Sequence, residues 1–86
     1  MWWLFFKQKA QDQLEKINKI NKLRIKEKLV FYSSQKNPLQ FAKKLISPEI
    51  WTYRFRIWDY RVIFDLDEKW RIIIIALIWH RKEMYK

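Results

Sequence analysis

The stretch "FRIWDYRVIFDLDEKWRIIIIALIWHRKEMYK", residues 55–86, carries the pattern that decides the fold. Tyr53, Phe55 and Ile57 alternate with Thr52, Arg54 and Arg56; Tyr60, Val62, Phe64 and Leu66 alternate with Arg61, Ile63 and Asp65. Successive side chains of a strand point to opposite faces, so period two with one apolar side predicts half-buried strands. Trp58 and Asp59 are left for a two-residue turn, which pairs Ile57 with Tyr60 and Arg56 with Arg61. "DEKW" (67–70) supplies a four-residue loop, with Leu66 opposite Arg71. Ile72 to Ile78 is apolar on both sides and reads as an interior strand. The same register sets Arg61 beside Ala76 and carries Ile78 and His80 along the arginine face.

Upstream the elements are shorter. "WWLFF" (2–6) reads as a buried strand. Ala10, Leu14 and Ile17 have helical spacing, so a first helix is expected from Lys9 to Ile17. "NKINK" (18–22) interrupts it, because asparagine favours turns over helix interiors. A second helix follows to about Ser33-Ser34, with Leu23, Ile25, Leu29, Val30 and Tyr32 inward. "QKNPLQFAKKLISPEIW" (35–51) reads as an irregular connection punctuated by Pro38 and Pro48. The predicted order is β-α-α-β-β-β, an α+β domain covering residues 1–86, with two N-terminal helices on one face of a mostly antiparallel sheet.

Composition narrows the function. The 86 residues hold 19 Lys and Arg against 9 Asp and Glu, a formal charge of +10. So basic a small body repels itself and favours a polyanionic partner: nucleic acid first, then an acidic protein, then a membrane surface. There is no cysteine and one histidine, so no disulfide framework and no evident metal site is expected. The apolar run 72–79 falls short of the roughly 20 residues that span a bilayer. "MWWLFFKQK" lacks the length and cleavage site of a signal peptide, so a cytoplasmic location is expected.

The turns pose a separate problem. Two-residue hairpins favour glycine because they need positive φ, yet this chain has no glycine and six tryptophans. An average chain is about 7% glycine. Reading Trp51, Trp58, Trp70 and Trp79 as glycine makes every turn chemically ordinary. UGA encodes tryptophan in some genetic codes and glycine in others, so conceptual translation with the wrong code would produce this exchange. Glycine is therefore the expected natural residue at these four positions, and a tryptophan-rich RNA-stacking surface is the alternative.

The hairpin register also points to chemistry. Arg56 opposite Arg61, with Arg54 a step behind, places like charges together, which destabilises a sheet unless something compensates. Arginine forks bind phosphate bidentately. His80 is the side chain type suited to proton transfer near neutrality, and Tyr85 could stack on an unpaired base. Such a set could cleave RNA without a metal: the 2′-hydroxyl attacks the adjacent phosphate while cations stabilise the developing charge. Each member also has a plainer reading, as a solvated strand cation, a polar rim residue or a packed ring.

Read with glycines, Tyr-Arg-x-Arg-x-Gly-x-Tyr-Arg (53–61) and Gly-His-Arg-x-x-x-Tyr (79–85), with "NPLQFAKKL" upstream, resemble the RelE/ParE superfamily of type II toxin–antitoxin toxins, on the RelE side. The resemblance implies a RelE-like toxin domain: a small basic endoribonuclease that cuts mRNA in the ribosomal A site. It also implies silencing by a cognate acidic antitoxin in a hetero-oligomer, and no cofactor. Carried over by motif, Arg54 and Arg56 match the two basic residues of the second strand, and Arg61 the arginine that stabilises the transition state. Arg81 matches the arginine proposed to help protonate the leaving group, and Tyr85 the tyrosine that orients the base. The best-understood members carry lysine where this chain has Arg54 and Arg56, and one of those lysines is proposed as general base. Arginine keeps its proton at relevant pH, so the base role falls to His80 or in part to the ribosome. Two further readings stand beside the nuclease: a ParE-like toxin that binds DNA gyrase without catalysis, and a non-catalytic RNA-binding module.

Overall fold

The computed structural model describes residues 1–45 and 53–84, with side chains through Lys82. Trp51 and Tyr85 lie outside the described residues. The elements are β1 (Trp3–Phe6), α1 (Gln8–Glu15), α2 (Lys19–Ser34), β2 (Ala42–Lys44), β3 (Tyr53–Ile57), β4 (Tyr60–Asp67), β5 (Ile72–His80) and α3 (Arg81–Met84). They form one sheet in the order β1-β5-β4-β3-β2, in which only β1–β5 is parallel. The α+β architecture and the helix pair on one sheet face are those the sequence predicts.

Local chemistry sets the boundaries. Asn18 caps α2, its side-chain oxygen accepting from the Asn21 N–H at 2.9 Å. The "NKINK" interruption is therefore one residue of cap, and α2 starts at Lys19 instead of after Asn21. Asn37 accepts from the Leu39 N–H at 3.1 Å and, with Pro38 next, starts a single 3₁₀ turn over Pro38–Phe41. This turn delivers Ala42–Lys44 to the sheet edge, so part of the expected irregular connection is a strand paired with β3.

The core lies between the helices and one sheet face. Ala10, Leu14, Ile25, Leu29 and Tyr32 pack on Phe55, Ile57, Val62, Phe64, Ile73, Ile75 and Ile78. Within it Tyr32, Phe55 and Phe64 form a stack with centroid separations of 4.3 and 4.1 Å. Burial pushes the Tyr32 phenol pKa above its usual value. Leu23 and Val30, expected inward, are exposed on the outer side of α2.

Two features of the meander correct the expected register. The second loop falls one residue later, on Glu68–Arg71, and Asp67 faces Ile72 while Leu66 faces Ile73, not Arg71. Asp67 holds the loop by accepting from the Trp70 N–H at 3.1 Å. A bulge follows: Phe64 faces Ile75, Ile63 faces Leu77, and Ala76 is the extra residue. One inserted residue exchanges the faces of everything beyond it. Ile78 and His80 therefore turn to the helix-packed side, and Arg61 faces Trp79 instead of Ala76.

The glycine question divides. Trp58 has φ 56° and is a left-handed non-glycine residue, as the hairpin argument requires. In the second loop the positive φ of 53° falls on Arg71, not Trp70. Trp79 lies inside β5, where no turn occurs. Backbone strain thus favours glycine at position 58 alone among the three described tryptophans in question.

Candidate functional site

The sheet face turned away from α1 and α2 collects the cations. Cross-strand neighbours form two adjacent rows on it. One row runs Arg56, Arg61, Trp79, and the next runs Lys43, Arg54, Ile63, Leu77. The hairpin enforces the first row, because a two-residue turn leaves Arg56 and Arg61 directly opposite. β2 enforces the second by pairing Lys43 with Arg54. Lys43 is a cation of this face that sequence reasoning missed; its signal was the short basic run "AKK" that forms β2.

The arginines differ in environment. Arg56 is exposed, whereas Arg61 is 6% exposed, with a guanidinium nitrogen 3.3 Å from the Tyr60 carbonyl. Arg54 is half-buried, and its Nε is buried without a hydrogen-bond partner. A guanidinium has five N–H donors in a fixed fork and no acceptor. Arg54 Nε is thus a buried donor without a partner, a state that costs about 1–3 kcal/mol.

Arg81 stands at the end of this surface. Its backbone N–H donates to the Asp59 carbonyl at 2.6 Å, and its guanidinium lies 3.9 Å from the Asp59 carboxylate. Both side chains are more than half exposed, so the ion pair itself contributes little. The backbone bond ties the start of α3 to the hairpin tip beside Arg56 and Arg61.

His80 does not join the arginines. It pairs with Tyr60 on the helix side, its ring edge-on to the Tyr60 ring at 5.1 Å, in a polar pocket with Gln13, Lys16 and Asn18. Its Nδ1 accepts the Lys82 N–H at 3.1 Å, a cap for α3. His80 and Arg61 therefore lie on opposite faces of the sheet, instead of on one face as the sequence register expects. The bulge at Ala76 is the physical reason. Among the described residues, no group of three or more His, Asp and Glu could hold a metal ion, and no helix is long and apolar enough to cross a membrane.

Two helices packed on one face of a five-stranded mixed sheet are the architecture of the RelE toxins. The chain is similar to the toxin–antitoxin complex RelBE2 of Mycobacterium tuberculosis, at TM-score 0.79 and 22% identity, covering 93% of this chain and 98% of that one. The archaeal RelE–RelB complex of Pyrococcus horikoshii gives TM-score 0.74 and 24% identity over 93% of this chain and 94% of that one. The isolated RelE toxin of E. coli gives TM-score 0.73 and 19% identity over 99% and 92%. No curated protein sequence matches the chain. The family profile described as the ParE toxin of the type II toxin–antitoxin system parDE matches residues 4–85. The chain belongs to this family, as a type II toxin of the RelE/ParE superfamily.

Proposed function

We propose that this toxin is an endoribonuclease that cuts mRNA on the ribosome and is silenced by an acidic antitoxin. The observation that carries the reading is the paired row Arg56–Arg61 flanked by Lys43 and Arg54, with Arg61 buried. A docking surface for nucleic acid needs exposed cations; a buried arginine beside an exposed one fits the holding of one phosphate from two sides. In the proposed step the 2′-oxygen attacks phosphorus, the bond to the 5′-oxygen breaks, and a 2′,3′-cyclic phosphate and a 5′-hydroxyl result. Arg56 and Arg61 stabilise the charge that builds on the non-bridging oxygens, Arg54 and Lys43 bind the neighbouring phosphate, and Arg81 hydrogen-bonds the leaving 5′-oxygen, which takes its proton from solvent. Tyr85 stacks on the base. The 2′ proton goes to a ribosomal or solvent group in the A site, because the helix-side position of His80 removes it from that role. The cytoplasm, where ribosomes and antitoxin are found, is the corresponding location.

The match to the ParE family favours one other reading, a toxin that binds DNA gyrase without cutting anything. Both are tested together. Protein made by cell-free synthesis is added to translating ribosomes, and mRNA 5′ ends are mapped by primer extension beside Arg61→Ala; a parallel reaction follows gyrase supercoiling. A-site cuts that vanish in Arg61→Ala are expected. Intact mRNA with blocked supercoiling would overturn the nuclease reading in favour of the second.

A further inference from the structure

On the helix side of the sheet an open depression of about 380 Å³ lies where α1, α2 and the β4–β5 pair meet. Gln13 and Lys16 reach it from α1 and its C-cap, Asn18 from the cap of α2, and Tyr60 and His80 from β4 and β5. The bulge at Ala76 brings His80 here. None of the described residues that line the depression is acidic.

Its polar groups share one property: each has its acceptor committed to the backbone. The Ile78 N–H donates to Oε1 of Gln13 at 2.8 Å. The Asn21 N–H donates to Oδ1 of Asn18 at 2.9 Å, and the Lys82 N–H donates to Nδ1 of His80 at 3.1 Å. A backbone N–H must be met by an oxygen or a bare ring nitrogen, so these contacts fix the orientation of both amides and the tautomer of the ring. The ends left over are the NH2 groups of Gln13 and Asn18 and the Nε2–H of His80, all donors. Lys16 adds an ammonium, with three donors and no acceptor. α2 starts at this rim, and the positive end of its dipole has the same sign.

Donors and a cation, with the amide and imidazole acceptors already engaged, select an oxyanion. Number and size narrow the class. A carboxylate or a phosphodiester presents two free oxygens and a terminal phosphate three, so four donor side chains match the terminal phosphate better. The space is on the scale of small-molecule sites, and Ile17, Ile78 and the Tyr60 ring offer an apolar wall to the rest of the ligand.

We propose that this depression binds the terminal phosphate of a small phosphate monoester of mononucleotide size, held by Lys16, Gln13, Asn18 and His80. The site lies across the sheet from the arginine and lysine rows. It is a binding site in addition to the nuclease reading and independent of it.

His80 is the single histidine of the chain, so its imidazole proton resonances are unambiguous in an NMR titration of the full chain. Adenosine 5′-monophosphate is added at constant pH and salt, beside adenosine and a short RNA with hydroxyls at both ends. A saturable shift of the His80 resonances with the monophosphate, and with neither control, is expected. Lys16→Met should weaken binding at least about tenfold, through loss of a charge-assisted contact. Lys9→Met removes the same charge from an exposed position of α1 outside the depression and should leave affinity unchanged. Gln13→Glu keeps an oxygen for the Ile78 N–H but exchanges the free NH2 for a carboxylate oxygen, so the fold persists and binding is lost. Equal shifts with adenosine or with the RNA would overturn the proposal. Equal weakening by Lys16→Met and Lys9→Met, or undiminished binding in Gln13→Glu, would do the same.

Discussion

Position 58 allows the backbone reading to be tested by the sign of an effect. Trp58 has φ 56° in the two-residue turn between β3 and β4, and the Arg24 guanidinium lies 4.5 Å from its ring centroid. Comparing Trp58→Gly with Trp58→Ala removes the ring and its cation contact from both variants, leaving the backbone term. A left-handed backbone costs a residue with Cβ about 1–2 kcal/mol. Glycine's greater freedom in the unfolded chain returns roughly 0.5–1 kcal/mol of that. Trp58→Gly should therefore be more stable than Trp58→Ala by about 0.5–1 kcal/mol. Relative to the tryptophan chain, Trp58→Gly should be near neutral, because the lost cation–π contact is worth about 0.5–1 kcal/mol at an exposed site. Urea unfolding followed by tryptophan fluorescence reads the difference as a midpoint shift at unchanged slope. At a right-handed position the order reverses, with alanine ahead by about 0.4–1 kcal/mol. Alanine equal to or above glycine would refute the left-handed turn and, with it, the backbone argument for a natural glycine here.

The second loop makes the complementary prediction. Arg71→Gly should match or exceed Arg71→Ala in urea, because Arg71 holds the positive φ of 53°, whereas Trp70→Gly should gain nothing over Trp70→Ala. His80→Asn should keep the cap on the Lys82 N–H and leave mRNA cleavage within about threefold in primer extension, while a general base would cost about 10²–10⁴-fold. Lys43→Ala should weaken single-stranded RNA binding and lower its salt slope by about one charge. For pH, the raised pKa of buried Tyr32 means its neutral form is favoured in the fold. Its contribution is present below the unfolded value of about 10 and is lost as pH rises through the higher folded value. Alkaline unfolding should accordingly be blunted in Tyr32→Phe.

Much of the architecture was legible because it rests on short-range rules. Alternation at 53–57 and 60–66 gave the hairpin, its register and the opposition of Arg56 and Arg61. Spacing at Ala10, Leu14, Ile25 and Leu29 gave the core side of both helices. β2 was not legible, since three residues that follow a proline turn carry no period. Leu23 and Val30 were misplaced because α2 has two apolar stripes and spacing alone cannot say which one the sheet covers.

The site divides along the same line. Sequence by itself determined the basic charge, the arginine pair at the hairpin and the resemblance to the toxin superfamily, because residue type and turn length are local properties. Tertiary structure alone decided which side of the sheet β5 shows beyond Ala76. A run of apolar residues pairs equally well in adjacent registers, and only packing against the helices selects the bulge. That choice sends His80 to the helix side, sets Trp79 beside Arg61 and leaves the open face with rows of arginine and lysine.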